Sequence, residues 1–178
     1  MIVWRPFPFG ERPTSRIASD VARELIIRRI LVVDDDLQTR LAMGVWLKRC
    51  GFRVAMTDSG ANGLAALNDA AFDLMIVEVS MPNMRGFKSI RVFHSHAPTV
   101  PLIAISGYAS SAFETDDPAC FRMALSLGAT RCLRKPFQPA TLLGVIDECL
   151  SEAESRRRHA ATLASVESAA GGRHRMPH

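Results

Sequence analysis

Short apolar runs alternate along the chain with longer segments in which apolar residues recur every three or four positions. The apolar runs stop abruptly at polar residues, which is typical of strands buried on both faces of a parallel sheet. They cover residues 30–33, 52–56, 72–79, 100–105 and 130–133. Five helical patterns lie between and after them. Because strands and helices alternate, the sequence predicts an α/β fold with a doubly wound, five-stranded parallel sheet.

Apolar stripes and end signals define the predicted helices. After three aspartates, the first helix shows apolar residues at helical spacing, and Gly51 follows as a typical residue at a helix C-terminus. These apolar residues are Leu37, Leu41, Val45 and Trp46. The stripe of the last helix consists of Leu142, Val145, Ile146, Cys149 and Leu150. Such stripes mark the face by which a helix packs on a core.

The positive charge of the chain lies at its two ends. The 178 residues carry a formal net charge of +4, which by itself suggests an anionic partner such as nucleic acid. Residues 1–29 and 153–178 each carry +3, whereas residues 30–152 hold 11 basic and 13 acidic residues. The predicted fold is therefore mildly acidic. This distribution argues against nucleic acid as a partner and favours solvated basic ends.

These patterns divide the chain into three segments. A basic N-terminal extension rich in proline and aromatic residues covers residues 1–28, one folded domain covers 29–152, and a basic tail covers 153–178. We expect the tail to extend the last helix and then to become disordered. No apolar run approaches the roughly 20 residues of a membrane span, and the N-terminus lacks a secretory signal pattern. With four widely spaced cysteines, the sequence predicts a cytoplasmic protein with free thiols.

Charged and hydroxyl residues stand at the ends of four predicted strands. Asp34 and Asp35 follow the first strand, and Glu78 lies at the end of the third. Ser106 follows the fourth strand and Lys135 the fifth. Because doubly wound sheets bind ligands at the carboxyl ends of their strands, we expect these side chains to meet. Neighbouring carboxylates and oxygen ligands predict a weak Mg²⁺ site, beside which the hydroxyl and the ammonium would hold a phosphoryl group.

A purely structural alternative applies to the same region. Asp34 and Asp36 precede the first helix and can cap it, and Lys135 can be a solvated surface charge. For any single residue this alternative is competitive, whereas five such residues on consecutive strand ends favour a functional site.

Four segments that contain these residues resemble the response-regulator receiver domain of two-component signalling. They are residues 30–36, 73–86, 105–107 and 133–137, and the similarity runs in order from about residue 29 to residue 150. The resemblance implies a (βα)5 flavodoxin-like fold and a role in phosphorelay signal transduction, without enzyme activity of its own. In that family an aspartate at the end of the third strand receives a phosphoryl group from a histidine kinase, and an acidic pair holds Mg²⁺.

The resemblance assigns roles around the phosphoacceptor position. Asp34 and Asp35 match the acidic pair, and Asp35 would be the direct metal ligand. Ser80 would offer its backbone carbonyl to the same metal, and Lys135 matches the lysine that binds the phosphoryl group. Glu78 occupies the phosphoacceptor position itself.

Further positions belong to the switch of the family. Ser106 matches the switch hydroxyl, and Pro136 matches a residue whose preceding peptide bond is commonly cis. Cys132 stands where the family usually has an aromatic side chain that couples to the hydroxyl, so we expect that coupling to be altered. Residues 110–118 lengthen the connection before the fourth helix, which either changes the partner surface or is a tolerated insertion.

Glu78 is the main departure from the family pattern. Its carboxylate lies one methylene, on the order of 1 Å, further from the backbone than that of aspartate, and phosphoryl transfer is sensitive to such displacements. Glu78 either imitates an acyl phosphate toward Lys135 and Ser106, incompletely because a phosphoryl group carries more charge, or pairs with Lys135 and holds a resting state. We favour a stand-alone, atypical receiver that acts by protein–protein interaction without phosphorylation.

Two other functions stay open at this point. A histidine kinase could still phosphorylate Glu78 with Mg²⁺, or the domain could bind a small molecule or a nucleotide. A glycine-rich phosphate loop after the first strand would favour nucleotide binding, and the sequence has none there. The expected partner is a histidine kinase or another signalling protein, and homodimerisation is left open.

Overall fold

The computed structural model describes residues 27–79, 81–82, 84, 87–107 and 118–171. Along these residues, strands and helices alternate as the sequence predicts, and the strand ends differ from the predicted ones by at most two residues. The strands are β1 (Arg29–Val33), β2 (Arg53–Thr57), β3 (Leu74–Glu78), β4 (Leu102–Ser106) and β5 (Arg131–Arg134). The helices are α1 (Leu37–Arg49), α2 (Gly60–Asp69), α3 (Phe87–His96), α4 (Pro118–Ser126) and α5 (Pro139–Gly171).

The five strands form one parallel sheet in the order β2-β1-β3-β4-β5, which confirms the predicted doubly wound α/β fold. The strand order reverses at β1 and β3, which are hydrogen-bonded neighbours. Val33 lies opposite Val77 in this pair, so the next residues along each strand, Asp34 and Glu78, leave the sheet side by side. The register therefore places two carboxylates at the crevice where such sheets bind ligands.

Two layers of helices bury the sheet on both faces. Leu31 and Val33 of β1 lie on one face, and Ile30 and Val32 lie on the other, because side chains alternate along a strand. The first face packs against α2, α3 and α4, and the second packs against α1 and α5. Every residue of β3 and β4 is buried. This two-sided burial explains the uninterrupted apolar runs of the sequence.

Helix α1 leaves exposed three of the four apolar positions that marked it in the sequence, whereas the fourth, Trp46, packs against the core. Leu37, Leu41 and Val45 are 57%, 47% and 53% exposed. The buried residues of α1 are Thr39, Met43, Gly44 and Leu47. Gly44 lies so close to β2 that a Cβ atom added to it would be 2.0 Å from the sulfur of Met56. The helix packs through this small face, and its most regular apolar stripe is left in solvent.

Helix α5 continues to Gly171, well beyond the predicted domain end at residue 152. The expected extension of the last helix thus reaches Gly171, and the expectation of disorder after it concerns residues 172–178, which lie outside the described part of the chain. Arg28 links the part of α5 beyond residue 152 to the sheet. It pairs with Glu154 on α5 and, at 3.2 Å, with Asp73 before β3. These ion pairs hold the first turn of α5 after residue 152 against the rest of the domain.

Several sequence predictions concern residues that the structure does not describe. Residues 1–26 of the N-terminal extension and residues 110–117 of the lengthened connection are in this group, and the predictions about them stay predictions. Among the described cysteines, Cys50, Cys132 and Cys149 are free thiols. Within the described ranges, no helix is long and apolar enough to cross a membrane.

Candidate functional site

Four of the predicted site residues meet at the carboxyl edge of the sheet. Asp34 follows β1 directly, Glu78 and Ser106 are the last residues of β3 and β4, and Lys135 follows β5 directly. Asp34, Glu78 and Ser106 are at most 3% exposed. Since all strands run in the same direction, their ends bring together residues that are separated by up to 101 positions.

Lys135 bridges the two buried carboxylates. Its Nζ lies 2.8 Å from Oδ2 of Asp34 and 2.6 Å from Oε2 of Glu78. The Lys135 side chain is 12% exposed, and the side chains of Asp34 and Glu78 are 0% and 5% exposed. Two carboxylates thus share one ammonium in a place with little water, where an ion pair is strong and an unpaired charge is costly.

The ion pairs and the burial have opposite effects on the pKa values of this group. Burial raises the pKa of Asp34 above its ordinary value, although the charge and the hydrogen bond of Lys135 act to lower it. Burial acts to lower the pKa of Lys135, but the carboxylates of Glu78 and Asp34 together outweigh it, so that this pKa is raised. The ammonium is therefore the permanent charge of the site.

Backbone contacts hold the two ends of this bridge. The Asp34 amide donates to the Thr57 carbonyl at 3.1 Å, and the Arg40 guanidinium donates to the Asp34 carbonyl at 2.6 Å. The Lys135 amide donates to the Ser106 carbonyl at 2.8 Å. The peptide bond between Lys135 and Pro136 is cis, as the family resemblance implied. Strands β2 and β4 therefore fix the backbone positions from which Asp34 and Lys135 reach each other.

The structural alternative for the aspartates holds for Asp36. Its carboxylate accepts hydrogen bonds from the amides of Gln38 at 2.8 Å and Thr39 at 3.0 Å, and so caps α1. These hydrogen bonds lower the pKa of Asp36. Asp34 and Lys135 do not follow this alternative, since Asp34 is buried and Lys135, which is mostly buried, pairs with it. Asp36 thus caps the helix, and Asp34 forms the ion pair.

The two switch positions lie on neighbouring strands near this bridge. Ser106 is buried, and its hydroxyl donates to the carbonyl of Gly107 at 3.3 Å. Cys132 lies opposite Ala104 in the β4–β5 pair and packs with the helices α2, α3 and α4 against their face of the sheet. Burial raises the pKa of the Cys132 thiol to about 11, so the thiol stays protonated at neutral pH. Because Cys132 carries a small thiol, this position has no aromatic ring whose conformation could couple to the Ser106 hydroxyl.

The residues expected to hold Mg²⁺ differ in their surroundings. Oδ1 of Asp34 accepts the amide of Asp36 at 2.9 Å, and Oδ2 pairs with Lys135. Asp35 is exposed, and Ser80 lies outside the described residues. Among the residues that are described, no group of three or more His, Cys, Asp or Glu side chains could hold a metal ion. Lys135 pairs with Asp34 and Glu78 and not with Asp35, the expected direct ligand, so the Mg²⁺ site stays a prediction.

Sequence reasoning missed Arg40, which holds the Asp34 carbonyl. A signal was present, because Arg40 lies one helical turn after the capping residue Asp36 and so returns to the start of α1. Its partner is a backbone carbonyl, however, and sequence patterns carry little information about such contacts.

The fold and this site define a doubly wound α/β domain with two buried carboxylates at the switch point of its sheet. The description of the response regulator receiver domain matches residues 30–147, about two thirds of the chain. The chain belongs to this family of receiver domains, which act in two-component signal transduction.

Curated relatives share the domain and extend beyond it. The transcriptional regulatory protein GltR of Pseudomonas aeruginosa is 36% identical over 127 residues, which cover 71% of this chain and 50% of GltR. The transcriptional regulatory protein ZraR of Escherichia coli is 28% identical over 126 residues, which cover 71% of this chain and 27% of ZraR. The chain thus spans half or less of the length of these two relatives.

Solved structures of single receivers have the same fold. A CheY-like receiver domain protein from Methanospirillum hungatei is 28% identical with a TM-score of 0.65, and the match covers 73% of this chain and 98% of that protein. The chemotaxis protein CheY4 of Vibrio cholerae is 28% identical with a TM-score of 0.61, and the match covers 70% and 99% of the two chains. The receiver fold therefore accounts for the described core, and the part of α5 after residue 147 lies beyond the family match.

Proposed function

We propose that this receiver domain signals through protein–protein contacts without phosphorylation, and that the Glu78–Lys135 ion pair takes the place of the phosphoryl switch. The observation that carries this proposal is the position of Lys135 Nζ, 2.6 Å from Glu78 and 2.8 Å from Asp34. The lysine expected to bind the phosphoryl group is already paired with the side chain at the phosphoacceptor position.

Two physical arguments support the proposal. Attack on a phosphodonor requires a carboxylate oxygen in line with the leaving group, and the extra methylene of Glu78 moves that oxygen by on the order of 1 Å. The transfer also requires a cation at the developing charge, and both oxygens of Asp34, one member of the expected acidic pair, are engaged by Asp36 and Lys135. The displaced nucleophile and the engaged Asp34 oxygens therefore both disfavour phosphoryl transfer.

The hydrogen bond of Ser106 favours a resting state over imitation of an acyl phosphate. A hydroxyl donates one hydrogen bond, and that of Ser106 goes to the carbonyl of Gly107. A carboxylate that imitated a phosphoryl group would draw this donor to itself. In the proposed function the Glu78–Lys135 pair therefore holds one conformation that a partner recognises, with no chemical input to switch it.

The proposed partner is a signalling protein of a two-component pathway, a histidine kinase or a downstream component, in the cytoplasm. Receiver domains interact with kinases or other signalling proteins, and this is the basis for the class of partner. The half-exposed apolar residues Met123 and Leu125 on α4 provide surface for such a contact.

Incubation with acetyl phosphate and Mg²⁺ followed by intact-mass measurement tests the proposal. We expect no adduct of about 80 Da on the unmodified chain. An adduct that disappears in Glu78→Gln would contradict the proposal and establish Glu78 as a working phosphoacceptor. A parallel incubation of the Vibrio cholerae chemotaxis receiver controls for the activity of the phosphodonor.

A further inference from the structure

A cleft of about 630 Å³ lies at the edge of the sheet opposite the lysine bridge. One wall is the α5 extension, which contributes residues spaced along one side of the helix. The other wall is the chain that leads into β4 and β5, residues 98–101 and 128–131, together with His94 at the end of α3. Its volume is that of a small-molecule site. The cleft exists because α5 continues past the domain that the sequence predicted.

The wall below β5 is built closely. Gly128 has a φ of 106°, and a Cβ atom added to it would lie 2.2 Å from the ring of His94. The imidazole therefore rests directly on the backbone at Gly128. This contact, the prolines 98 and 101 and the small residues Ala129, Ala153 and Ala160 leave the volume open and mostly apolar.

The charge in this cleft comes from α5. Arg131 is neutralised by Glu152 and, at 3.4 Å, by Glu148. Arg156 and Arg157 line the cleft as well, and both are exposed. The nearest carboxylate to Arg157, that of Asp73 at 3.9 Å, is already bound by Arg28 and by the amide of Arg29. Two guanidinium groups thus face the open volume with donors to spare.

The third arginine of the run is placed differently. Arg158 does not line the cleft, and it lies 3.9 Å from Glu154 one helical turn earlier. In a basic tail surrounded only by solvent, Arg156, Arg157 and Arg158 would have equivalent surroundings. The helix separates them instead, because neighbouring residues are about 100° apart around its axis.

We propose that this cleft binds a small phosphate monoester with an apolar or aromatic body, of the size of a mononucleotide. Arg156 and Arg157 hold the phosphate, for which planar guanidinium groups are well suited. The proline and alanine lining receives the body of the molecule. This site is separate from the carboxyl edge of the sheet, and it does not depend on the proposed function.

Titration of the full chain with AMP, with adenosine and with inorganic phosphate tests the proposal, with amide NMR shifts as the readout. We expect AMP to shift the resonances of Gly128, Ala129 and Ala153, and to bind more tightly than either of its parts. The double variant Arg156→Gln/Arg157→Gln should lose at least about tenfold in affinity for AMP, as expected for the loss of charge-assisted hydrogen bonds. Arg158→Gln is the matched control and should keep the affinity.

Three results would overturn the proposal. AMP that leaves the cleft resonances unshifted shows that the cleft does not bind it. Equal losses in Arg158→Gln and in the double variant show nonspecific attraction to a basic helix. Inorganic phosphate that binds as tightly as AMP shows that the apolar lining takes no part. Circular dichroism of each variant establishes that α5 is intact.

Discussion

The ammonium of Lys135 lies 2.6 Å from the carboxylate of Glu78, and this ion pair joins the loop after β5 to the last residue of β3 across the end of β4. In this domain the Lys135 ammonium pairs with both Glu78 and Asp34 in a buried place. The ion pairs of Lys135 therefore stabilise the folded domain, and removing them should lower the free energy of unfolding.

Lys135→Met should destabilise the domain by about 3 kcal/mol, because it leaves two buried carboxylates without their cation. Urea denaturation at neutral pH measures the change. Lys48→Met removes an exposed lysine near the end of α1 and should change the stability by less than about 0.5 kcal/mol. Equal effects of the two substitutions would mean that the bridge contributes nothing to stability.

Glu78→Asp should draw the carboxylate back from Lys135 and restore the side chain that the receiver family uses as phosphoacceptor. We expect this variant to gain an acetyl-phosphate adduct of about 80 Da that the unmodified chain does not form. Intact-mass measurement at neutral pH detects it. If Glu78→Asp remains unmodified, the length of the side chain is not what prevents transfer, and the engaged Asp34 oxygens become the main cause.

The stability of the domain should fall at alkaline pH in a way that depends on Lys135. Its pKa is raised in the folded state above the ordinary value of 10.5, so its contribution is complete below that value and is lost as the pH rises through the folded pKa. Urea midpoints measured from roughly pH 9 to roughly pH 11.5 should fall more steeply in the unmodified chain than in Lys135→Met. The cysteines that also titrate there are common to both proteins. Parallel curves would contradict the prediction.

Gly128→Ala should destabilise the domain by about 2 kcal/mol, since it places a Cβ atom at a φ of 106° and against the His94 ring. Gly144→Ala is the matched control on α5. A Cβ atom there meets no other atom within 4 Å, and alanine should stabilise the helix by up to about 1 kcal/mol. Thermal denaturation of both variants compares the signs, and a stabilised Gly128→Ala would show that the backbone at this position is not under the stated constraint.

Most of the architecture could be predicted from local pattern. Buried parallel strands are apolar throughout, as β3 and β4 are, and glycines such as Gly51 and Gly128 mark helix ends by their positive φ. Local pattern could not predict which face of α1 is buried. Its burial depends on how closely Gly44 approaches Met56 of β2, which is a property of two elements together.

The candidate site was predictable in membership and not in arrangement. Asp34, Glu78, Ser106 and Lys135 stand at strand ends, and a parallel sheet necessarily brings strand ends together. The sequence also suggested a metal between the carboxylates. Which cation neutralises them depends on whether the Lys135 side chain can reach both oxygens, and that depends on side-chain geometry at the end of β5.

The amino-acid sequence by itself determined the α/β class, the family resemblance and the presence of glutamate at the phosphoacceptor position, because these follow from periodicity and from the identity of residues at strand ends. Only the tertiary structure decided that Lys135 pairs with both Glu78 and Asp34, and that α5 continues to Gly171 as one wall of a cleft. The physical reason is the same in both cases. Competition for a buried charge and the support of a projecting helix depend on contacts between residues far apart in the chain, such as Arg28 with Glu154, and local patterns do not encode them.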